Sequence, residues 1–516
     1  MTPLKFETIT RHPFPHRFDS FMSAETHLAI DLGASGGRVI AGQVVRDRLH
    51  LETAHRFSNG PVRMRNSLVW DSVGLWQHIL SGLSTAAGQA DQVVSVGVDT
   101  WGVDYVLVDA ADVPLGPTFN YRDARTQGMF DKAFSLVPRD AIFAATGVQF
   151  MEINTIYQLL SQSLSGSPAL RGADSLMLMG DFFHWLLTGR RSVEVTNAST
   201  TQLLDPNTGG WSLELIERLG LPAKIFAPPI EPGSELGPLE PHVAAATGLH
   251  DVPVIVPATH DTASAVLAVP SDDFAPQRPK WCYISSGTWS LMGCEIPRPI
   301  INSTVAELNF TNERGINGST RLLKNIGGLW IFQQIRSALA RRDISVTWDT
   351  MVRQAEAAKP LSLLIDPDDA RFVAPDDMID AIAEYAAATG QAELSDHGTL
   401  YRASLEGLAL RYRSCLASLE RIVGDAIEVI HVVGGGSLNG LLCQMTADAC
   451  NRTVVAGPVE ATATGNVLMQ MIGSGRLTGV DQARELVRAS FSPKLYRPAN
   501  TAPWDDAAKR FAELPR

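Results

Sequence analysis

Two short segments constrain this chain more than any others. Residues 27–41 run from an apolar stretch through a glycine-rich turn, Gly33-Ala34-Ser35-Gly36-Gly37, into a second apolar stretch, which is the pattern of a β-hairpin. About 250 residues later, residues 281–293 repeat it: strand, Ser285-Ser286-Gly287-Thr288 turn, strand. That spacing is roughly half of the 516 residues, so the chain reads as two related halves, each organised around one hairpin.

A chain of this length exceeds one ordinary hydrophobic core. With 45% hydrophobic and 19% charged residues it has enough apolar material for two, which argues against disorder. Lys and Arg number 43 against 55 Asp and Glu, a net charge of −12. That charge repels nucleic-acid backbones and anionic membranes, and no basic cluster offsets it. No apolar run approaches the roughly 20 residues needed to span a bilayer. Residues 1–26 lack the apolar centre of a signal peptide and read as an N-terminal extension. Cys282, Cys294, Cys415, Cys443 and Cys450 are odd in number without CxxC spacing, and so are expected as reduced core thiols of a cytoplasmic protein rather than metal ligands.

Each half continues with strands among helices. Residues 93–98 and 105–108 are β-branched runs, whereas 156–164 and 181–187 have helical spacing. In the second half, residues 400–423 form an amphipathic helix, with Leu405, Leu408, Ala409, Tyr412 and Leu416 on one face. A strand over 428–433, the turn Gly434-Gly435-Gly436 and a helix over 439–450 follow. The expected class is α/β, with mixed sheets flanked by helices. The boundary between halves is expected near residues 256–268, and the cleft there is the default ligand site.

Small residues at a tight turn let backbone N–H groups converge on an anion, so each hairpin turn is either a plain hairpin or a phosphate cradle. Two of them at related positions favour a nucleotide held between the halves. No Gly-Lys dipeptide occurs, which excludes a Walker A loop, and Gly434 to Asn439 fails G-x-G-x-x-G at its last position. Asp31 ends the first strand and either caps the turn or holds Mg²⁺ through water. Asp261, in His260-Asp261-Thr262, either caps a helix or serves as a carboxylate base aimed at an acceptor hydroxyl. Asp99-Thr100-Trp101-Gly102-Val103-Asp104 alternates acids with an aromatic residue, as a polyol grip would or as a plain strand pairing would. Arg122, Asp123 and Arg125 read as a surface ion-pair cluster. Residues 194–202, rich in hydroxyls and amides, suit either loop self-satisfaction or a polar wall. Asn325 and Gln333 flank a Gly-Gly helix start that either faces nucleotide or caps a core helix.

Taken together, these segments resemble the FGGY family of carbohydrate kinases, within the actin-like (ribonuclease H-like) ATPase superfamily, and among them the L-rhamnulose kinases most closely. The resemblance runs from about residue 27 to beyond 465. Its most specific parts are Asp31-Leu32-Gly33-Ala34-Ser35, Asp99 to Asp104, His260 to Val266, Ser285 to Gly293, and Ala456-Gly457-Pro458-Val459-Glu460-Ala461. It implies two actin-like ATPase domains about an interdomain cleft. A sugar-binding domain would span 27–260 and an ATP-binding domain 261–500, followed by a tail over 501–516. The implied activity is ATP- and Mg²⁺-dependent phosphorylation of L-rhamnulose at its terminal primary hydroxyl, with Asp261 as base. Gly102, His260, Thr262 and Asn325 would contact sugar, with Trp101 and Asp99 beside them. Ala34, Ser35, Gly36, Gly37, Arg38, Thr288, Gln333 and Gly435 would contact ATP. Departures from the family pattern are Gly36 in place of a Ser, Arg314 in place of a Gly, and Glu152-Ile153 within an otherwise apolar stretch. A kinase for another ketose, such as fuculose or xylulose, and an actin-like ATPase acting as a nucleotide-dependent binding module remain as alternatives.

Overall fold

A computed structural model describes residues 25–392 and 396–515; of the N-terminal extension, residues 1–24 lie outside them. Each half is built on one mixed sheet. In the first, the strands lie in the order Arg48–Ser58, Gly36–Val45, Glu25–Gly33, Gln92–Thr100, Pro253–Ile255, Glu235–Pro238. The first three are antiparallel, the next two join in parallel, and the last returns antiparallel. In the second sheet, Thr320–Gly327, Trp289–Ile296, Trp281–Ser286, Val429–Val433, Thr453–Ala456 and Lys494–Tyr496 follow that same sequence of directions. The internal repeat is therefore topological as well as local. The second sheet adds one edge strand, Thr311–Arg314.

Hydrophobic faces set the layers. Leu28, Ile30 and Leu32 of the first strand cluster with Leu75, Ile79 and Leu83 of helix Ser72–Gln89, a helix begun by Asp71 accepting from the Gly74 amide. In the second half Cys282, Ile284, Met292 and Cys294 pack on Leu405, Leu408, Ala409, Tyr412 and Leu416 of the long helix His397–Val423. All five cysteines are buried and unpaired. Residues 502–512, read above as tail, form a helix that buries Trp504, Ala507 and Phe511. No helix among the described residues is long and apolar enough to cross a membrane.

Two helices join the halves. Asp261–Leu267 and Ala461–Gly473 pack so closely that a Cβ on Gly465 would stand 1.8 Å from the Ser264 carbonyl oxygen; only glycine fits there. The second of these helices sends Asn466 and Gln470 beneath the first sheet. Gln470 donates to Leu28 O at 3.0 Å and accepts from Ser95 Oγ at 2.6 Å, and Asn466 donates to Gly97 O at 3.2 Å. Sequence from the end of the chain thus fixes the strands that carry Asp31 and Asp99.

One buried histidine yields a pH prediction. His184, on helix Met179–Thr188, is fully buried and accepts from the Val98 amide through Nε2 at 2.9 Å. Burial lowers its pKa to about 3. It stays neutral in the folded chain while the unfolded chain protonates below the ordinary value of 6.5, so stability falls as pH drops from there toward 3. Relative to His184→Gln, the parent protein should lose about 1.4 kcal/mol per pH unit through this window, measurable as diverging urea midpoints between pH 6.5 and 5. Parallel midpoints would remove His184 from the titration.

Candidate active site

The two hairpin turns meet. Ser35 Oγ and Thr288 Oγ1 lie 3.2 Å apart, so turns from opposite halves form adjoining parts of one wall. They line a cavity of about 700 Å³ between the halves, together with Asp31, Trp101, Gly102, His260, Asp261, Thr262, Asn325 and Gly435. The cleft is therefore closed at the turns.

One side of the cavity is built around glycine-rich turns. Ala34 to Arg38 and Ser285 to Thr288 face the cavity. Gly434, at φ 83°, turns the chain out of strand Val429–Val433. Beside it, a Cβ on Gly436 would stand 2.0 Å from Ser286 Oγ, whereas one on Gly435 would meet nothing within 4 Å. The glycine turn thus packs tightly against the second hairpin and leaves open space above Gly435, where a flat ring can lie. Gln333 stands behind this wall, its Oε1 accepting from Thr288 Oγ1 at 3.3 Å. Arg38 turns back onto Asp31, donating from Nε and Nη2 at 2.9 and 2.8 Å, and pairs with Glu460 at 2.8 Å. Asp31 itself lines the cavity.

Asp261 begins helix Asp261–Leu267, so its carboxylate sits where helix N–H groups are unpaired. Its Oδ1 accepts from the Thr262 amide at 2.5 Å and Thr262 Oγ1 at 3.2 Å, and lies 3.5 Å from His260 Nε2. Burial raises the pKa of this carboxyl; His260 lowers it, Asp31 adds to the rise, and the Thr262 bonds oppose it. A carboxylate held at Oδ1 by Thr262 and still 30% exposed at the cavity wall suits proton acceptance.

The opposite wall is Trp101, Gly102, Val103, Tyr121, Thr200 and the segment Val148, Gln149, Met151, Ile153 and Asn154. That segment carries the departure noted at Glu152-Ile153, yet Glu152 itself turns away and accepts from the Gly128 amide. Gln149 is the residue that sequence reasoning missed. Its Oε1 accepts from the Asn325 amide at 2.8 Å and from Asn325 Nδ2 at 3.1 Å, linking the halves at the cavity floor. Its partner lies 176 residues away, and no local pattern signals it.

The two acids of the Asp99–Asp104 segment are not at the cavity surface. Asp99 is fully buried and accepts from Asn466 Nδ2 at 2.6 Å; burial and the nearby Asp31 push its carboxyl well above the ordinary range. Asp104 accepts from Trp70 Nε1, Trp101 Nε1, Gln158 Nε2 and the Tyr121 amide at 2.6, 3.0, 3.0 and 3.2 Å. Burial raises it to about 6 against those bonds. Asp104 thus holds the aromatic wall in place from the turn between strands Gln92–Thr100 and Tyr105–Val108.

The Arg122 cluster also differs from its sequence reading. Arg122 lies over the rings of Trp330, Trp289 and Tyr121 at 4.2, 5.2 and 5.3 Å and donates to Val373 O, a cation–π clasp across the halves. Asp123 instead accepts from the Leu68 amide at 2.6 Å. Segment 194–202 does both things open to it: Glu194, fully buried, accepts from Thr196 and Thr259 amides and hydroxyls at 2.6 to 2.9 Å, while Thr200 lines the cavity. Arg314 points to Glu231 at 3.6 Å, away from the cavity.

Known proteins share this architecture. Residues 26–268 match the N-terminal domain and residues 282–474 the C-terminal domain of the FGGY family of carbohydrate kinases. The rhamnulokinase of Bacteroides thetaiotaomicron is 40% identical over 492 residues, covering 95% of this chain and 100% of that protein. The rhamnulokinase of Bacillus subtilis is 39% identical over 472 residues, covering 92% and 95%. Among solved structures, a gluconate kinase from Lactobacillus acidophilus superimposes with a TM-score of 0.76 at 16% identity, over 95% of this chain and 97% of that one, a likeness of fold. Two matched domains in one order, over nearly the whole chain, place it: this protein belongs to the FGGY family of carbohydrate kinases.

Proposed function

We propose that the protein is an L-rhamnulose kinase acting in rhamnose catabolism: it transfers a phosphoryl group from ATP to the terminal primary hydroxyl of L-rhamnulose, giving L-rhamnulose 1-phosphate. The observation that carries this reading is the junction at Asp261. Its carboxylate stands where the aromatic wall and the two hairpin turns meet in one cavity, and relatives named rhamnulokinase extend along almost the entire chain.

In this assignment residues 27–260 supply most of the sugar wall and share the ATP wall with residues 261–500. Trp101 packs on sugar C–H faces, while Gly102 leaves room beside Thr200, whose side chain a Cβ there would meet at 3.0 Å. His260, Thr262 and Asn325 offer polar contacts. Asp261 takes the hydroxyl proton as the sugar oxygen becomes a nucleophile. Ala34, Ser35, Gly36, Gly37, Arg38, Thr288 and Gly435 position the phosphates and base, with Gln333 fixing Thr288. For Mg²⁺, no three His, Cys, Asp or Glu side chains converge among the described residues. Asp31 offers the cavity a carboxylate whose Oδ2 is held by Arg38, which fits an ion held through water and phosphate oxygens. When bound, that ion would neutralise phosphate charge. The acidic chain, its reduced cysteines and its small-molecule substrates suit a cytoplasmic enzyme.

A panel of ketoses and polyols, assayed by ADP release with Mg²⁺, tests the substrate. L-rhamnulose should give the highest kcat/KM. A higher value for fuculose or xylulose would reassign the sugar and leave the kinase chemistry standing.

A further inference from the structure

The extra edge strand of the second sheet has no counterpart in the first, and it delivers charge to the back of His260. Glu313 on Thr311–Arg314 and Arg321 on Thr320–Gly327 are direct cross-strand partners. Both are sealed, at 3% and 1% exposure, and Arg321 Nη2 lies 3.1 Å from Glu313 Oε2. Arg321 Nε donates to Arg314 O at 3.1 Å, which fixes the plane of the guanidinium. Burial works to raise the Glu313 carboxyl, but Arg321 outweighs it and holds the group below the ordinary range, so it is a carboxylate.

The same guanidinium reaches the imidazole. Arg321 Nη2 lies 3.1 Å from His260 Nδ1 in hydrogen-bonding geometry, and Glu313 Oε2 lies 3.3 Å from that nitrogen. A guanidinium has donors only, so Nδ1 must accept and the ring proton of a neutral imidazole must sit on Nε2. Nε2 is the nitrogen facing Asp261 Oδ1 at 3.5 Å, where a carboxylate can only accept. Without Arg321, Nδ1 would instead present its proton to Glu313 and Nε2 would turn a lone pair toward Asp261.

We propose that Arg321, neutralised by Glu313, is a positioning residue that sets the His260 tautomer, so that Nε2 turns a proton rather than a lone pair toward Asp261 Oδ1 and leaves Oδ2 to the acceptor hydroxyl. This deepens the assignment of Asp261 as base and rests on it. It also makes the geometry of a group on the interdomain helix depend on an edge strand of the second sheet, through residues about 50 to 60 positions away.

Two readouts test the proposal on the full chain. In protein labelled with ¹⁵N only at histidine, the His260 signal, identified by its loss in His260→Asn, should report the Nε2–H tautomer at neutral pH. Arg321→Met should shift it toward Nδ1–H and lower kcat about 10- to 100-fold, as small misplacements of a reacting group do, with little change in either KM. Because that variant leaves Glu313 buried and alone, Arg321→Met/Glu313→Leu is measured beside it. It removes both charges and leaves no acceptor at Nδ1, so it should recover thermal stability, the Nε2–H tautomer and most of kcat. An Nδ1–H signal in the parent protein, or an Arg321→Met variant that keeps the Nε2–H signal and parental kcat, would overturn the proposal. Asp261→Asn, run in parallel, separates the two assignments: activity retained there defeats the base, whereas a dead Asp261→Asn beside a fully active Arg321→Met defeats only the tautomer device.

Discussion

Asp261→Asn is expected to lower kcat by about 10²- to 10⁴-fold, the usual loss on removing a general base, while sugar and ATP still bind. The amide keeps the shape of the side chain, and its oxygen can still accept from the Thr262 amide and hydroxyl that now hold Oδ1. What it lacks is the ability to take a proton at the atom facing the cavity. Because burial disfavours the carboxylate form, the variant should be at least as stable as the parent. The check is a pair of measurements, steady-state turnover and calorimetric titration with sugar. Near-parental kcat would reduce Asp261 to a helix cap, and gross unfolding would show a structural role instead.

The largest effect on folding is expected at Arg484. It lies on helix Val480–Ser490, is 1% exposed, and pairs with Glu295, itself 2% exposed on strand Trp289–Ile296. Its other donors reach Val266 O at 3.1 Å, Ser271 Oγ at 3.0 Å and Asp273 O at 2.9 Å. One side chain thereby ties the connection between the halves to the second sheet. Arg484→Met strands Glu295 as a buried charge, which should cost about 3–5 kcal/mol, whereas Arg484→Met/Glu295→Met removes both charges and should restore much of the loss. Denaturant midpoints of both variants decide the matter. A double variant no more stable than the single would mean that the carbonyl contacts, not the ion pair, dominate.

What could be read in the sequence follows a physical division. The hairpins at Gly33 to Gly37 and Ser285 to Thr288 were legible because strand pattern and turn chemistry are local, and their half-chain spacing announced the repeated sheet. The long helix His397–Val423 was legible for the same reason. Partnerships closed by the tertiary fold were not. Asp99 and Asp104 read as hydroxyl acceptors because the residues that bury them, Asn466, Trp70 and Gln158, lie far along the chain. Arg122 read as a surface charge because the aromatic rings beneath it come from both halves. Gln149 and Arg321 carried no motif at all, since each matters through a partner that only the closed cleft brings within reach.

Phosphorus NMR of the reaction mixture tests the central claim most directly. With ATP, Mg²⁺ and L-rhamnulose, the account predicts one new phosphomonoester resonance, split into a triplet by the two protons of a phosphorylated primary carbon, growing as the γ-phosphate signal falls. Inorganic phosphate as the product, formed at the same rate without sugar, would contradict it in favour of an ATPase, and a doublet would place the phosphoryl group on a secondary hydroxyl.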